Sequence, residues 1–372
     1  MADQKDTDLH KPDSGFPLNG SWLRLLVLGL VALGSMFGKS TKLIEFGWDE
    51  PDSAFLRKHS AKMDRTPFDG CVFHINSFTW EVWGKRAFTM PEVQAAVEDL
   101  KALSFHKLRH NFLRFNVTPG DLDWFDDFSA VINNANLAAK VAKSGPCDGI
   151  LFDIEQYKNP LFEYSRQRDA TRKSWPEYAA QAKLRGYEVM RAFQSGFPNL
   201  KVFLTYGYDL PWEQSQKGKV PLSQTDYGLL APFLDGMLAA VKGKTRIIDG
   251  FEFAYSCKEP ACIRDGYQEM KRGVLPLVSE KKKYRKAFSF SFGIWVDANW
   301  RQAGWHPADL TANFHTPGQF ETVVKTALET ADEYVWIYSE NPKWWTEPSG
   351  ESAGMPPAFQ TALDRARAIG SR

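Results

Sequence analysis

The sequence predicts a single (β/α)8 barrel, an α/β fold, from three observations. Eight short apolar runs bounded by turn residues alternate with amphipathic helix patterns. The first run ends in Gly47-Trp48-Asp49-Glu50-Pro51, which lacks the Gly-rich phosphate turn of a doubly wound open sheet. No repeat or linker divides residues 41–372, so they read as one domain.

The elements follow in order. Strand one is expected over Lys42–Trp48, and a helix over Ser53–Met63 begins after Asp52, a good N-cap. Strand two covers Gly70–Ile75. The helix Pro91–Leu103 spaces Val93, Ala96, Val97 and Leu100 on one face, with Pro in its first turn. Strand three, Phe112–Val117, precedes an Ala-rich helix over Leu122–Ala142. Strand four, Gly149–Glu155, precedes the long helix Trp175–Phe193. Strand five, Lys201–Tyr206, leads to Tyr227–Val241, and strand six, Ile248–Tyr255, to Tyr267–Val278. The run Glu280–Lys286 reads as a solvated helix end and loop. Strand seven spans Phe288–Val296 and its helix Phe320–Ala331; strand eight spans Tyr334–Ser339 and its helix Pro357–Ile369. Long segments near 76–90, 156–174 and 207–226 are expected to be active-face loops.

Residues 1–40 stand apart. A polar tail precedes an apolar run from Trp22 to Gly38, shorter than the ~20 residues that comfortably span a bilayer. The run fits a secretory signal with a weak small-x-small site at Ala32-Leu33-Gly34. A short uncleaved membrane anchor and a buried N-terminal helix are the other readings. The expectation is export: a secreted, periplasmic or membrane-anchored protein. Cys257 and Cys262 are spaced to close a small disulfide in an oxidising compartment, whereas Cys71 and Cys147 read as buried thiols.

Composition narrows the function. The 372 residues carry a formal net charge of +1, which argues against a nucleic-acid partner. Aromatic content is 14 %, with 13 Trp. An aromatic core explains part of this; a carbohydrate cleft explains it as well, because sugar rings stack their C–H faces on indole.

Working residues of such a barrel stand at the C-terminal ends of its strands. Those ends offer Trp48, Asp49 and Glu50; His74 and Asn76; Arg114 and Asn116; Asp153 and Glu155; Tyr206, Tyr208 and Asp209; Glu252 and Tyr255; Trp295, Asp297 and Trp300; and Tyr338 and Glu340, followed by Trp344 and Trp345. This rim of carboxylates and aromatics has neither the His cluster of a metal hydrolase nor a nucleophile elbow, and no metal or cofactor is implied. It suits glycoside hydrolysis, in which one carboxyl protonates the leaving oxygen and an anion meets the oxocarbenium-like centre. Asp153 and Glu155, two apart on a strand, share a face. Glu155 is expected to be the acid and Asp153 its orienting partner, with an Arg114 ion pair as the plain alternative. Glu340, Glu252 and Asp297 are candidates for the second carboxylate, Asp297 equally for binding a sugar hydroxyl. Glu252 and Tyr255 have opposite parity on one strand, so both enter the barrel only if a bulge intervenes. Expected sugar contacts are Trp48, Asp49, His74, Asn116, Tyr206, Tyr208, Tyr255, Trp295, Asp297, Tyr338 and Trp344. Among the rim indoles, which also include Trp80, Trp83, Trp212 and Trp345, about half are expected to stack on substrate. Two rival functions fit the same rim: a non-catalytic carbohydrate-binding barrel, and a lyase or isomerase with a divalent metal on Asp153, Glu155 and Glu252.

The stretch Asp148-Gly149-Ile150-Leu151-Phe152-Asp153-Ile154-Glu155 resembles the strand-four signature Asp-Gly-x-Asp-x-Asp-x-Glu of family 18 glycoside hydrolases, the chitinase-like enzymes. It matches at Asp148, Gly149, Asp153 and Glu155 and departs at Leu151. On strand six, Phe253-Ala254-Tyr255-Ser256 keeps only the Tyr of the family's Met-x-Tyr-Asp. The resemblance implies a TIM barrel with Glu155 as acid, and Asp153 and Tyr255 holding a substrate N-acetyl group.

Overall fold

A computed structural model describes residues 41–298, 304–345 and 353–370. The expected signal or anchor segment 1–40, and Trp300, lie outside the described residues. No helix among the described residues is long and apolar enough to cross a membrane.

Nine parallel strands form one curled sheet: β1 (Lys42–Glu45), β2 (Gly70–Phe73), β3 (Asn111–Asn116), β4 (Cys147–Asp153), β5 (Lys201–Leu204), β6 (Arg246–Asp249), β7 (Phe288–Phe290), β8 (Gly293–Trp295) and β9 (Tyr334–Tyr338). Their spatial order is β7-β6-β5-β4-β3-β2-β1-β9-β8. The two ends of that order, β7 and β8, are consecutive pieces of chain separated by Ser291 and Phe292. The single expected strand Phe288–Val296 is therefore broken in the middle: its first half pairs with β6 and its second with β9. The Ser291 amide donates to the Asp249 carbonyl on one side, and the Phe292 carbonyl accepts from the Trp336 amide on the other. That kink closes the sheet into an eight-position barrel.

The outer helices are α1 (Ser53–Met63), α2 (Met90–Lys101), α3 (Ser129–Lys143), α4 (Trp175–Gly196), α5 (Leu230–Ala240), α6 (Pro260–Gln268), α7 (Pro317–Thr330) and α8 (Pro357–Gly370). Local sequence sets their starts. The Asp52 carboxylate accepts from the Phe55 amide at 2.8 Å. Glu92, Glu177 and Gln319 reach back to the amides of Thr89, Ser174 and Thr316, each with Pro in the first turn. Several helix expectations change. Helix α6 spans Pro260–Gln268, ahead of the expected Tyr267–Val278. Helix α3 starts at Ser129, not Leu122. The run after Glu280 forms a helix of its own, Lys281–Ala287. A further helix, Asp209–Gly218, occupies part of the loop expected near 207–226.

Period-two alternation sorts the side chains. Ile44, Val72, Phe112, Leu151, Phe203, Ile248, Tyr334 and Trp336 fill the lumen. Their neighbours Leu43, Cys71, Leu113, Ile150, Val202, Ile247 and Val335 pack against the helices. The lumen is unusually aromatic: Phe112 meets Phe203 and Tyr334, each at 5.4 Å between ring centroids. Leu151, which stands where the resembling family has an acid, is one of these plugging residues. Cys257 and Cys262 form a disulfide; Cys71 is a buried thiol, and Cys147 is half-buried.

Candidate active site

Above the aromatic plug the strand ends open into a cavity of about 880 Å³, within the ~300–1,000 Å³ range of small-molecule sites. Its lining includes Trp48, His74, Glu155, Tyr206, Glu252, Tyr255, Trp295, Tyr338 and Glu340, all expected from the sequence. Trp80, one of the rim indoles, joins them. Phe46, Glu50, Arg114 and Tyr157 line it too, and sequence reasoning gave them no part in substrate binding. Trp48 and Trp80 stand on the rim, 68 % and 41 % exposed.

One charged network forms the wall below β1, β3 and β4. Arg114 donates to Asp153 through Nε at 3.2 Å and Nη2 at 2.6 Å, and to Glu50 through Nη1 at 2.8 Å. The face of its guanidinium packs on Trp80 at 4.6 Å. Asp153 is fully buried under the cavity and does not line it. The adjacent acids therefore differ: Glu155 opens into the cavity, and Asp153 supports it from beneath. Tyr157 Oη lies 3.0 Å from Asp153 Oδ2 and 3.0 Å from Glu155 Oε1, joining the two. The Glu155 amide also donates to Asp153 at 3.1 Å. Burial, and then the charge of Asp153, push the Glu155 carboxyl up to about 7, against the pull of Tyr157 and Arg114.

Glu252 arrives differently from expectation. Strand β6 ends at Asp249, and Phe251 turns the chain with a left-handed φ of 44°. Residues Glu252–Ser256 then form a 3-10 helix. With three residues per turn, positions i and i+3 eclipse. Glu252 and Tyr255 thus face the cavity together, and the conflict of strand parity disappears. The strained turn is held on several sides. Asp249 Oδ1 accepts from the Phe251 amide at 3.2 Å, the Glu252 amide donates to the Thr205 carbonyl at 3.3 Å, and the Trp336 indole donates to the Gly250 carbonyl at 2.9 Å. Gly293 makes room for that indole: a Cβ there would lie 2.5 Å from Trp336. Burial, then the charges of Glu155 and Asp153, push the Glu252 carboxyl well above the usual range.

Five expected sugar contacts lie outside the cavity, each for a visible reason. Asp297 is buried and accepts from Trp295 Nε1, the Glu340 and Asn341 amides and Asn341 Nδ2, all at 2.9–3.0 Å. It holds the loop that carries Glu340. Asp49 is buried and accepts from the amides of Trp344 and Trp345 at 2.6 and 2.9 Å. Trp344 packs edge-on against Phe68. Asn116 is buried and caps the Thr118 amide at 3.0 Å. Tyr208 lies in the outer core, where its hydroxyl donates to Asp235 at 2.9 Å. Of the seven rim indoles, Trp48, Trp80 and Trp295 reach the cavity; Trp83, Trp212, Trp344 and Trp345 pack the core. Asp148, the first position of the strand-four motif, sits at the opposite end of β4 beside His110 at 2.8 Å.

Among the described residues no group of three His, Cys, Asp or Glu side chains could hold a metal ion. Asp153, of the trio Asp153, Glu155 and Glu252, is committed to Arg114.

No family model and no curated protein matches the sequence. Among solved structures the chain is similar to a GH5_18 protein from Streptomyces cattleya in complex with GlcNAc, at 12 % identity and TM-score 0.48, covering 89 % of this chain and 81 % of that one. It is similar to a GH18 chitinase from Pseudoalteromonas aurantia at 12 % identity and TM-score 0.42, covering 80 % and 94 %. It is similar also to an endocellulase from Pyrococcus horikoshii in complex with cellotetraose, at 12 % identity and TM-score 0.45, covering 88 % and 92 %.

Proposed function

We propose that the protein hydrolyses a glycosidic bond in an oligo- or polysaccharide, with Glu155 and Glu252 as the working carboxyls. One observation carries the reading: two carboxyls share an aromatic cavity, and burial there pushes both of them above the usual carboxylate range. Such a pair holds one proton between its members and titrates as a unit. Glu155 gives that proton to the leaving oxygen, and the Tyr157–Asp153–Arg114 network fixes its direction. With the shared proton on Glu155, Glu252 is left as the anion that meets the oxocarbenium-like centre, its buried Oε2 without a hydrogen-bond partner. Tyr255 and Tyr338, stacked at 5.2 Å between centroids, and Trp295 form one wall for the sugar. Trp48 and Trp80 offer further ring faces at the mouth.

The test is a glycan panel with the purified chain. Glu155→Gln and Glu252→Gln are each expected to cut kcat by about 10²–10⁴-fold, the usual weight of an acid–base group. Ligand affinity without turnover in the wild type refutes hydrolysis and leaves a binding barrel. The stereochemistry of the released sugar then separates direct attack by Glu252 from attack through water.

Export belongs to the same proposal. Its supports are the Cys257–Cys262 disulfide, a bond that persists in oxidising compartments, and the apolar run before residue 41. Recovery of the full chain from the cytosol with both thiols reduced refutes it.

A further inference from the structure

The electrostatics of the cavity narrow the substrate class. We propose that the sugar it takes carries a free amino group on the ring, whose ammonium sits beside Glu252. The proposal rests on the carbohydrate reading of the cavity and deepens it.

Four carboxyls line the cavity, Glu50, Glu155, Glu252 and Glu340, and Arg114 is the one lysine or arginine among the described lining residues. That guanidinium is already engaged by Glu50 and Asp153. His74 faces Glu50 at 3.8 Å rather than Glu252. Glu252 Oε2 is buried with no hydrogen-bond partner, so the structure leaves one acceptor unmet inside a ligand-sized cavity. The charges around it are those of Glu155, Asp153 and Asp209, opposed by the Arg114 guanidinium. A sugar hydroxyl brings this group a hydrogen bond but no counter-charge. An ammonium brings both.

The rings suit the same guest. Tyr255 packs with Trp295 at 5.4 Å and with Tyr338 at 5.2 Å, and Tyr206 lines the cavity with them. Aromatic faces attract a cation, most strongly where water is excluded. Acetylation of the amine removes the charge, so the free amine is preferred over its N-acetyl form. In the unliganded protein one proton shared by Glu155 and Glu252 leaves the pair with a single negative charge. An arriving ammonium balances that charge beside Glu252, and the proton stays on Glu155 for the leaving oxygen.

The experiment titrates the full chain with glucosamine, glucose and N-acetylglucosamine, and with the three galacto counterparts. Tryptophan fluorescence and calorimetry report affinity. The amino sugars are expected to bind about 10- to 100-fold more tightly, the worth of a hydrogen bond to a charged group. Glu252→Gln is expected to bring their affinity down to that of the neutral sugars. Equal affinity of amino and neutral sugars overturns the proposal, as does a preference that survives Glu252→Gln. Turnover of a neutral glycan without amine preference overturns this inference and leaves the hydrolase reading standing. Amine preference with no turnover on any amine-bearing oligosaccharide does the reverse.

Discussion

Replacing Asp153 with Asn tests whether the buried acid tunes Glu155. The substitution keeps the shape of the side chain and removes its charge. Tyr157 Oη is 3.0 Å from an oxygen of each carboxyl. Laid end to end, those two contacts place the charges within about 6 Å. At an effective dielectric near 20, like charges at that separation repel by roughly 3 kcal/mol, equivalent to about two pH units. Arg114 neutralises part of the Asp153 charge, so the expected fall in the Glu155 pKa is ~1–2 pH units. An acid must be protonated to act, and the wild-type group is held at about 7. The alkaline limb of the kcat/KM profile is therefore expected to move down by ~1–2 pH units. Arg114 keeps Glu50 at 2.8 Å, and the amide oxygen that the substitution introduces still accepts, so the variant remains measurable. The assay is a pH–rate profile on any glycan the wild type cleaves, with circular dichroism confirming the fold. A folded variant whose alkaline limb does not move refutes the reasoning.

Three further outcomes follow from the same geometry. Tyr157→Phe removes the hydrogen bond that favours ionised Glu155, so its alkaline limb is expected to rise by ~1 pH unit, opposite in sign to Asp153→Asn; a downward move contradicts the assigned network. Asp297→Ala strands the donors of Trp295, Glu340 and Asn341, and chemical denaturation is expected to register a loss of ~2–4 kcal/mol together with a raised KM; a loss below about 1 kcal/mol speaks against its role as a loop anchor. Glu155 binds its proton more tightly in the folded than in the unfolded chain, so its stabilising contribution is complete below pH 4.5 and is lost as pH rises through about 7. Across that window wild-type stability is expected to fall by ~2–3 kcal/mol relative to Glu155→Gln, and parallel unfolding curves at both pH values refute it.

The alternation of Ile44, Phe112, Leu151, Phe203 and Ile248 with their outward neighbours was readable in the sequence, because a two-residue period is a property of the strand itself. So was the position of Glu155, which continues the inward series of Leu151 and the buried Asp153 past the end of β4. Two things were not. The run Ile248–Tyr255 reads as one strand, yet the Asp249-Gly250 pair is a turn signal, and the 3-10 helix beyond it decides where Glu252 points. The second concerns acids that never meet solvent. Asp49 and Asp297 follow strand ends just as Glu155 does, but each collects backbone amides from a loop remote in sequence, Asp297 from Glu340 and Asp49 from Trp344. No local pattern distinguishes a carboxylate that anchors a remote loop from one that waits for a ligand; only the long-range partner does.

Trp336 acts as a strut. It springs from β9, passes across the bare backbone at Gly293 and ends on the carbonyl that precedes the Glu252 turn. The height of that glutamate is thus dictated by a side chain two staves away round the barrel. A substitution in β9 that shortens the strut, chemically silent in itself, would be felt as altered acidity in the cavity above.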